Sequence, residues 1–181
     1  MTGLISSRHA RRAAVLCAAG VLSILPAHGA PLPGGAGSLV ETYQDWVVAC
    51  QAQNERTLCV MRQVQSNTQT GQHVLTVEFS GGGDGGRLGG MLLMPFGLSL
   101  AEGVTAGIDN AAPGPALAFA TCTPQGCLAP IAFEADQVGK LRAGTSLNLT
   151  ARLFSPAQPI ALKVSLKGFS AALNRIGDLM K

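Results

Sequence analysis

Charge is scarce in this chain. Asp, Glu, Lys and Arg make up 13% of its 181 residues, against roughly 25% in soluble domains. With 47% hydrophobic residues, that excludes disorder driven by charge and leaves enough apolar material for one core. The formal charge of +3 is also misleading. Arg8, Arg11 and Arg12 sit within the first dozen residues, and the chain beyond them holds ten cationic residues against ten acidic ones. A neutral chain lacks the clustered cations that a nucleic acid or an anionic membrane surface requires.

Histidine is scarcer still. Of His9, His28 and His73, only His73 lies beyond the N-terminal segment, and no nucleophile motif accompanies it. The chain has no Gly-x-Ser-x-Gly elbow, no His-x-x-x-His pair, no Gly-Lys-Ser or Gly-Lys-Thr phosphate loop and no Cys-x-x-Cys. Each is the minimal arrangement for its chemistry: a strained serine, two imidazoles on one metal, a lysine on a phosphate, a reactive thiol. The residues therefore nominate no catalytic, cofactor-binding or metal-binding side chain, and the expectation is a protein that is not an enzyme. Glu78, Asp84, Glu102 and Asp109 are the acids that a carboxylate-based hydrolase would draw on, a reading that needs two of them about 5–10 Å apart in a cleft. Met91 and Met94 resemble a soft copper(I) ligand pair, but without a third ligand nearby they read as core residues.

The N-terminus has the order of an export signal. Three arginines without an acid precede the apolar run Ala13–Leu25, Pro26 ends it, and Ala27-His28-Gly29 offers small residues at the first and third positions. A signal peptide over 1–29 is expected, cleaved after Gly29. Thirteen apolar residues reach about 20 Å as a helix, short of a roughly 30 Å hydrocarbon core. No other segment is apolar enough to span a membrane. Residues 30–40 read as a flexible leader, with Pro, Gly and Ala and no core-forming pattern.

Loss of Cys17 with the signal leaves Cys50, Cys59, Cys122 and Cys127. An even count in an exported chain reads as two disulfides, and four cysteines allow three connectivities. The local pairs Cys50–Cys59 and Cys122–Cys127 are favoured, since the second encloses Thr-Pro-Gln-Gly, a strong turn. A four-thiolate zinc site lacks the two-residue spacing it needs.

Between these landmarks the chain reads as short strands: Gln44–Cys50, Leu58–Gln65, Val74–Phe79, Leu98–Leu100, Val104–Ile108, Ala116–Thr121, Leu128–Phe133, Leu147–Phe154 and Ile160–Leu166. In the third, Leu75, Val77 and Phe79 alternate with polar neighbours, which points that set to the core. Residues 80–90, with seven glycines, read as a flexible loop. Glu134–Arg142 reads as one or two helical turns. Phe169, Leu173, Ile176 and Met180 follow the spacing of one helical stripe within Ser170–Met180. The expected fold class is all-β: a single β-sandwich or partly open barrel over 41–181 with a short C-terminal helix, preceded by a signal peptide.

An ordered set of motifs resembles the invasion-associated locus B family of bacterial extracytoplasmic proteins. It comprises Asp45-Trp46-Val47-Val48-Ala49-Cys50, Cys59 with Gln63, and Pro95-Phe96-Gly97-Leu98-Ser99-Leu100. It continues with Gly103-Val104-Thr105-Ala106-Gly107-Ile108-Asp109, Phe119–Cys127 and Val164-Ser165-Leu166-Lys167-Gly168-Phe169. The resemblance spans Glu41 to Lys181. It implies a small exported β-sandwich of the periplasm or cell surface, with a link to host-cell invasion in pathogenic members and no catalytic residues to carry over. The functional expectation is a binding protein whose partner is an envelope or host-surface protein, with no cofactor, no nucleic acid and an oligomeric state left open. The alternatives are a periplasmic assembly or envelope-stress factor that exposes the stripe Phe169, Leu173, Ile176 and Met180, and the carboxylate-based hydrolase.

Overall fold

Ten strands and two helices follow one another in the computed structural model, which describes residues 32–54, 56–81 and 86–181. The strands are β1 (Ser38–Tyr43), β2 (Trp46–Gln53), β3 (Arg56–Ser66), β4 (His73–Ser80), β5 (Leu88–Met94), β6 (Thr105–Ile108), β7 (Thr121–Thr123), β8 (Gly126–Phe133), β9 (Ser146–Arg152) and β10 (Pro159–Ser165). Helix α1 (Ala135–Ala143) separates β8 from β9, and α2 (Phe169–Leu179) ends the chain. The strands form a seven-stranded sheet in the order β1-β2-β3-β4-β5-β8-β7 and a three-stranded sheet in the order β10-β9-β6. Every pairing is antiparallel. The sheets do not close, so the molecule is an open β-sandwich. The expected signal peptide, residues 1–29, lies outside the described residues.

The register explains the core. Met61 of β3 lies opposite Val48 of β2 and Phe79 of β4, and Val77 of β4 lies opposite Gln63 of β3 and Leu92 of β5. Leu92 in turn faces Ala129 of β8. Because side chains alternate with period two, these residues share one face, and all are buried. The three-stranded sheet adds Leu147, Leu149, Ala151 and Val164. At the centre, the Trp46 ring stacks on Phe79 at 5.8 Å and meets Phe169 edge-on at 5.4 Å. Helix α2 covers the inner face over β1, β2 and β3.

Several elements depart from the sequence reading. The described part of the 30–40 leader is ordered: Leu32 is buried in the core, Pro33–Gly35 form a 3-10 turn, and β1 begins at Ser38. Its pattern was hidden because Glu41 points inward, where Arg175 of α2 meets it through two hydrogen bonds of 2.7 and 2.8 Å. On β3 the inward residues are Cys59, Met61 and Gln63, while Leu58 and Val64 face out. Residues 88–90 belong to β5 rather than to a loop. Gly90 is required there, since a Cβ would lie 2.3 Å from the Glu78 carbonyl oxygen and 2.5 Å from the Phe79 ring. Leu98–Leu100 contributes one isolated bridge, Leu98 to Leu153, and Leu117 bridges Val104 without a strand over 116–120. Helix α1 has nine residues, about two and a half turns. It is started by a reciprocal Glu134–Gln137 capping box and ended by Lys140 and Arg142, which suit the negative end of the helix dipole.

Helix α2 starts at Phe169, directly after Gly168. That glycine has φ +82°, and a Cβ would fall 2.0 Å from the Tyr43 carbonyl oxygen. The buried side of α2 is Phe169, Ala172, Ile176 and Leu179, with Leu173 packed against the core. The exposed stripe required by the assembly-factor alternative is therefore overturned: only Met180 of the four is exposed.

The sandwich treats its sheet edges unequally. Strand β7 is three residues long and tied to β8 by a disulfide. The outer side of β6 is lined by residues 111–117, with the Gly114 amide donating to the Ala106 carbonyl at 2.9 Å and Val104 and Leu117 exchanging two backbone bonds. The free side of β10 is capped from the other sheet. Gln63 donates to the Ser165 carbonyl at 2.9 Å and accepts from the Ser165 amide at 3.1 Å, and Gln65 donates to the Lys163 carbonyl at 2.9 Å. Among the described residues, β1 alone has no such cover.

Candidate interaction surface

The four cysteines form the two local pairs. Cys50 and Cys59 face each other across β2 and β3, and Cys122 and Cys127 across β7 and β8. Cys50, Cys59 and Cys127 are buried and Cys122 is exposed. These bonds hold the scaffold.

The acids singled out in the sequence occupy separate structural roles. Glu78 lies on the outer face of β4, opposite Arg62 of β3 and Met91 of β5. Glu102 pairs with Arg152 at 3.7 Å on the surface. Asp109 joins the end of β6 to the start of β9. One of its carboxylate oxygens accepts from the Thr145 hydroxyl at 2.7 Å and from the Thr145 and Ser146 amides at 2.9 Å each. The Thr145 hydroxyl, followed by these two amides, holds the Asp109 carboxyl below its ordinary range. Asp84 lies outside the described residues. His73 opens β4, with its Nε2 2.9 Å from the Thr76 hydroxyl oxygen. Met94 is buried in the core on the inner face of β5, and Met91, an odd number of residues away, faces the other side. The metal-ligand reading of that pair is thus undone by the pleat. Among the described residues, no three or more His, Cys, Asp or Glu side chains gather as a metal site.

Two exposed aromatic rings stand out instead. Phe96 is 58% exposed and Phe154 is 75% exposed. They are 58 positions apart in sequence, yet the backbone brings their loops together. The Phe154 amide donates to the Gly97 carbonyl at 2.8 Å, the Ser99 amide donates to the Arg152 carbonyl at 2.8 Å, and Leu98 bridges Leu153. Buried Leu98 roots the first loop in the core. Leu100, also exposed, follows on the same loop, and the Glu102–Arg152 ion pair borders it. An exposed phenylalanine forfeits burial worth about 1.5–3 kcal/mol. Two of them stand on loops pinned to each other by backbone hydrogen bonds, as exposed apolar anchors of the kind that protein-binding hot spots use. The sequence reading noted Phe96 only within a motif, and nothing local links it to Phe154.

A second apolar area covers the outer face of β1, β2 and β3. There Val40, Ala49 and Val60 lie in one register row, with Leu58 beside it. Val40 is 69% exposed.

No helix among the described residues is long and apolar enough to cross a membrane. Comparison with known proteins gives a consistent result. The family model described as invasion associated locus B (IalB) protein matches residues 46–177. An invasion protein B homolog of Brucella abortus is 58% identical over 160 residues, covering 88% of this chain and 91% of that protein. Invasion protein B of Bartonella bacilliformis is 37% identical over 154 residues, covering 84% of this chain and 82% of its own. The crystal structure of invasion associated protein B from Bartonella henselae superposes with a TM-score of 0.72 at 34% identity, covering 78% of this chain and 96% of that one. An open disulfide-bonded sandwich, a matching family model over most of its length and relatives at this level of identity make the chain a member of the invasion-associated locus B family.

Proposed function

We propose that this protein is an exported, non-enzymatic binding protein of the periplasm or cell surface. It engages a protein partner through the patch formed by Phe96, Leu100 and Phe154. The observation that carries the reading is the exposure of two phenylalanines on loops fixed to one another by backbone hydrogen bonds. A fixed apolar patch costs little ordering on binding, so its buried area converts efficiently into affinity. Two disulfides support a place outside the cytoplasm. The relatives are named for invasion, which supports a host-surface protein as the partner over an envelope protein.

The test uses the mature chain, residues 30–181, oxidised and fluorescently labelled. Saturable binding to host-cell surfaces is compared with binding to purified envelope fractions. The expected result is a saturable isotherm that weakens at least about tenfold in Phe96→Ser/Phe154→Ser, since each buried anchor contributes more than about 1 kcal/mol. Both positions are exposed, so the variant keeps the fold. Non-saturable binding, or an isotherm unchanged in the double variant, overturns the reading.

A further inference from the structure

We propose that the open edge of β1 pairs with β1 of a second copy of this chain, antiparallel about a two-fold axis at Val40. This goes beyond the aromatic patch and does not depend on it.

The argument begins with backbone groups. The Ala52 amide donates to the Gly37 carbonyl at 3.0 Å, immediately before the β1–β2 ladder begins with Ser38 opposite Gln51. In an antiparallel ladder the bonded pairs alternate. Residues 37, 39, 41 and 43 therefore face β2, and Ser38, Val40 and Thr42 turn their amides and carbonyls to the open side. Natural sheets blunt such edges with lysine, proline, inward-pointing charges, bulges, short strands or a cover. The other three edges here carry those devices: the shortness and disulfide of β7, the 111–117 segment along β6, and Pro159, Gln63 and Gln65 at β10. Strand β1 is six residues long, regular in register and free of lysine and proline, and its one inward charge, Glu41, is paired with Arg175.

The partner follows from the residues themselves. Pairing two β1 strands about Val40 sets Val40 against Val40 of the second copy, a β-branched cross-strand pair. Ser38 then meets Thr42, hydroxyl against hydroxyl, and Leu39 meets Glu41. The one charge on the strand, Glu41, is neutralised within its own chain by Arg175, so the approach brings no unpaired like charges together. On the outer face the apolar row Val60, Ala49, Val40 continues across the axis into its symmetry mate. The interface is isologous and closes at two copies.

The experiment is sedimentation equilibrium of the oxidised mature chain, residues 30–181, alongside Val40→Lys and Val64→Lys. Both substituted positions are exposed. The expected result is a wild-type dimer whose association is weakened at least about tenfold by Val40→Lys and left unchanged by Val64→Lys. In a separate reading, Val40→Cys forms a covalent dimer on mild oxidation, because paired Cα atoms in a bonded pair lie about 5.5 Å apart, within disulfide reach. Peptide mapping locates the link at position 40. A chain that stays monomeric up to its solubility limit overturns the proposal, including the case in which Val40→Lys abolishes capture of a foreign extended peptide. So does a dimer that Val40→Lys leaves intact or that Val40→Cys fails to cross-link.

Discussion

Replacing Gln63 by Leu tests how the two sheets are joined. Gln63 is buried on the inner face of β3, and its amide brackets one residue of β10, donating to the Ser165 carbonyl and accepting from the Ser165 amide. Leucine has a similar volume, so the cavity contribution is small. The hydrogen-bond contribution is not. The Ser165 carbonyl keeps the Trp46 indole as a donor at 2.9 Å, but the Ser165 amide loses its partner. An orphaned buried donor costs about 1–3 kcal/mol, and the lost carbonyl bond adds about 1 kcal/mol, giving about 2–4 kcal/mol in all. With a urea slope of about 2 kcal/mol per molar, the unfolding midpoint falls by about 1–2 M. The chain contains a single tryptophan, fully buried and bonded to the same carbonyl, so its fluorescence reports on this joint. Gln65→Leu is the control. Its amide donates to the exposed Lys163 carbonyl and, at 3.1 Å, to the Gln63 oxygen, which keeps the Ser165 amide as a donor, so the loss costs under about 1 kcal/mol because water replaces it. A Gln63→Leu variant within about 0.5 kcal/mol of wild type, or one more stable than Gln65→Leu, refutes the bracket as the element joining the sheets.

Four further outcomes are expected. The hydrogen bonds from Arg175, ahead of the one from Tyr43, hold the Glu41 carboxyl below its ordinary range despite the opposing effect of burial. Its contribution to stability is therefore present above the unfolded-state pKa and lost as pH falls through the lower folded value, so urea midpoints taken from about pH 6 to pH 3 should fall less steeply in Arg175→Met than in wild type. Gly90→Ala should destabilise by about 1–3 kcal/mol through its collision with the β4 backbone. Gly139→Ala, on the open face of α1 with nothing within 4 Å, should stabilise by about 0.5–1 kcal/mol, both read from thermal melts. Timed alkylation and mass spectrometry under mild reductant should show Cys122–Cys127 opening before Cys50–Cys59, because only Cys122 is exposed.

The sequence was informative where structure is local. Leu75, Val77 and Phe79 alternate over a strand whose neighbours are supplied on both sides, so their period identifies the buried face. Both disulfides join positions that a turn brings together. It was less informative where a distant group changes the meaning of a residue. The inward turn of Glu41 depends on Arg175, 134 positions away, which no local pattern announces. Gln63 is a polar residue among apolar neighbours, and its burial makes sense only once Ser165, 102 positions away, supplies it a donor and an acceptor. Gly90 reads as loop material until the Phe79 ring occupies the space its side chain would need. The joining of the Phe96 and Phe154 loops follows the same rule, since no local pattern ties one to the other.

The Cys50–Cys59 bond bears on how the molecule is made. Its cysteines are 2% and 3% exposed in the finished fold, and thiol–disulfide exchange needs access to sulfur. The oxidant must therefore act before the core closes over the two sulfurs, at a stage when the β2–β3 hairpin, a contact that forms in about 1–10 μs, is already in place. Once made, the bond fixes which residue of β2 faces which residue of β3. A slip of one position would turn every inward side chain outward, and here that slip is covalently forbidden before the remaining strands dock. The disulfide thus acts as a ruler laid down first, from which the in-and-out pattern of the seven-stranded sheet is measured.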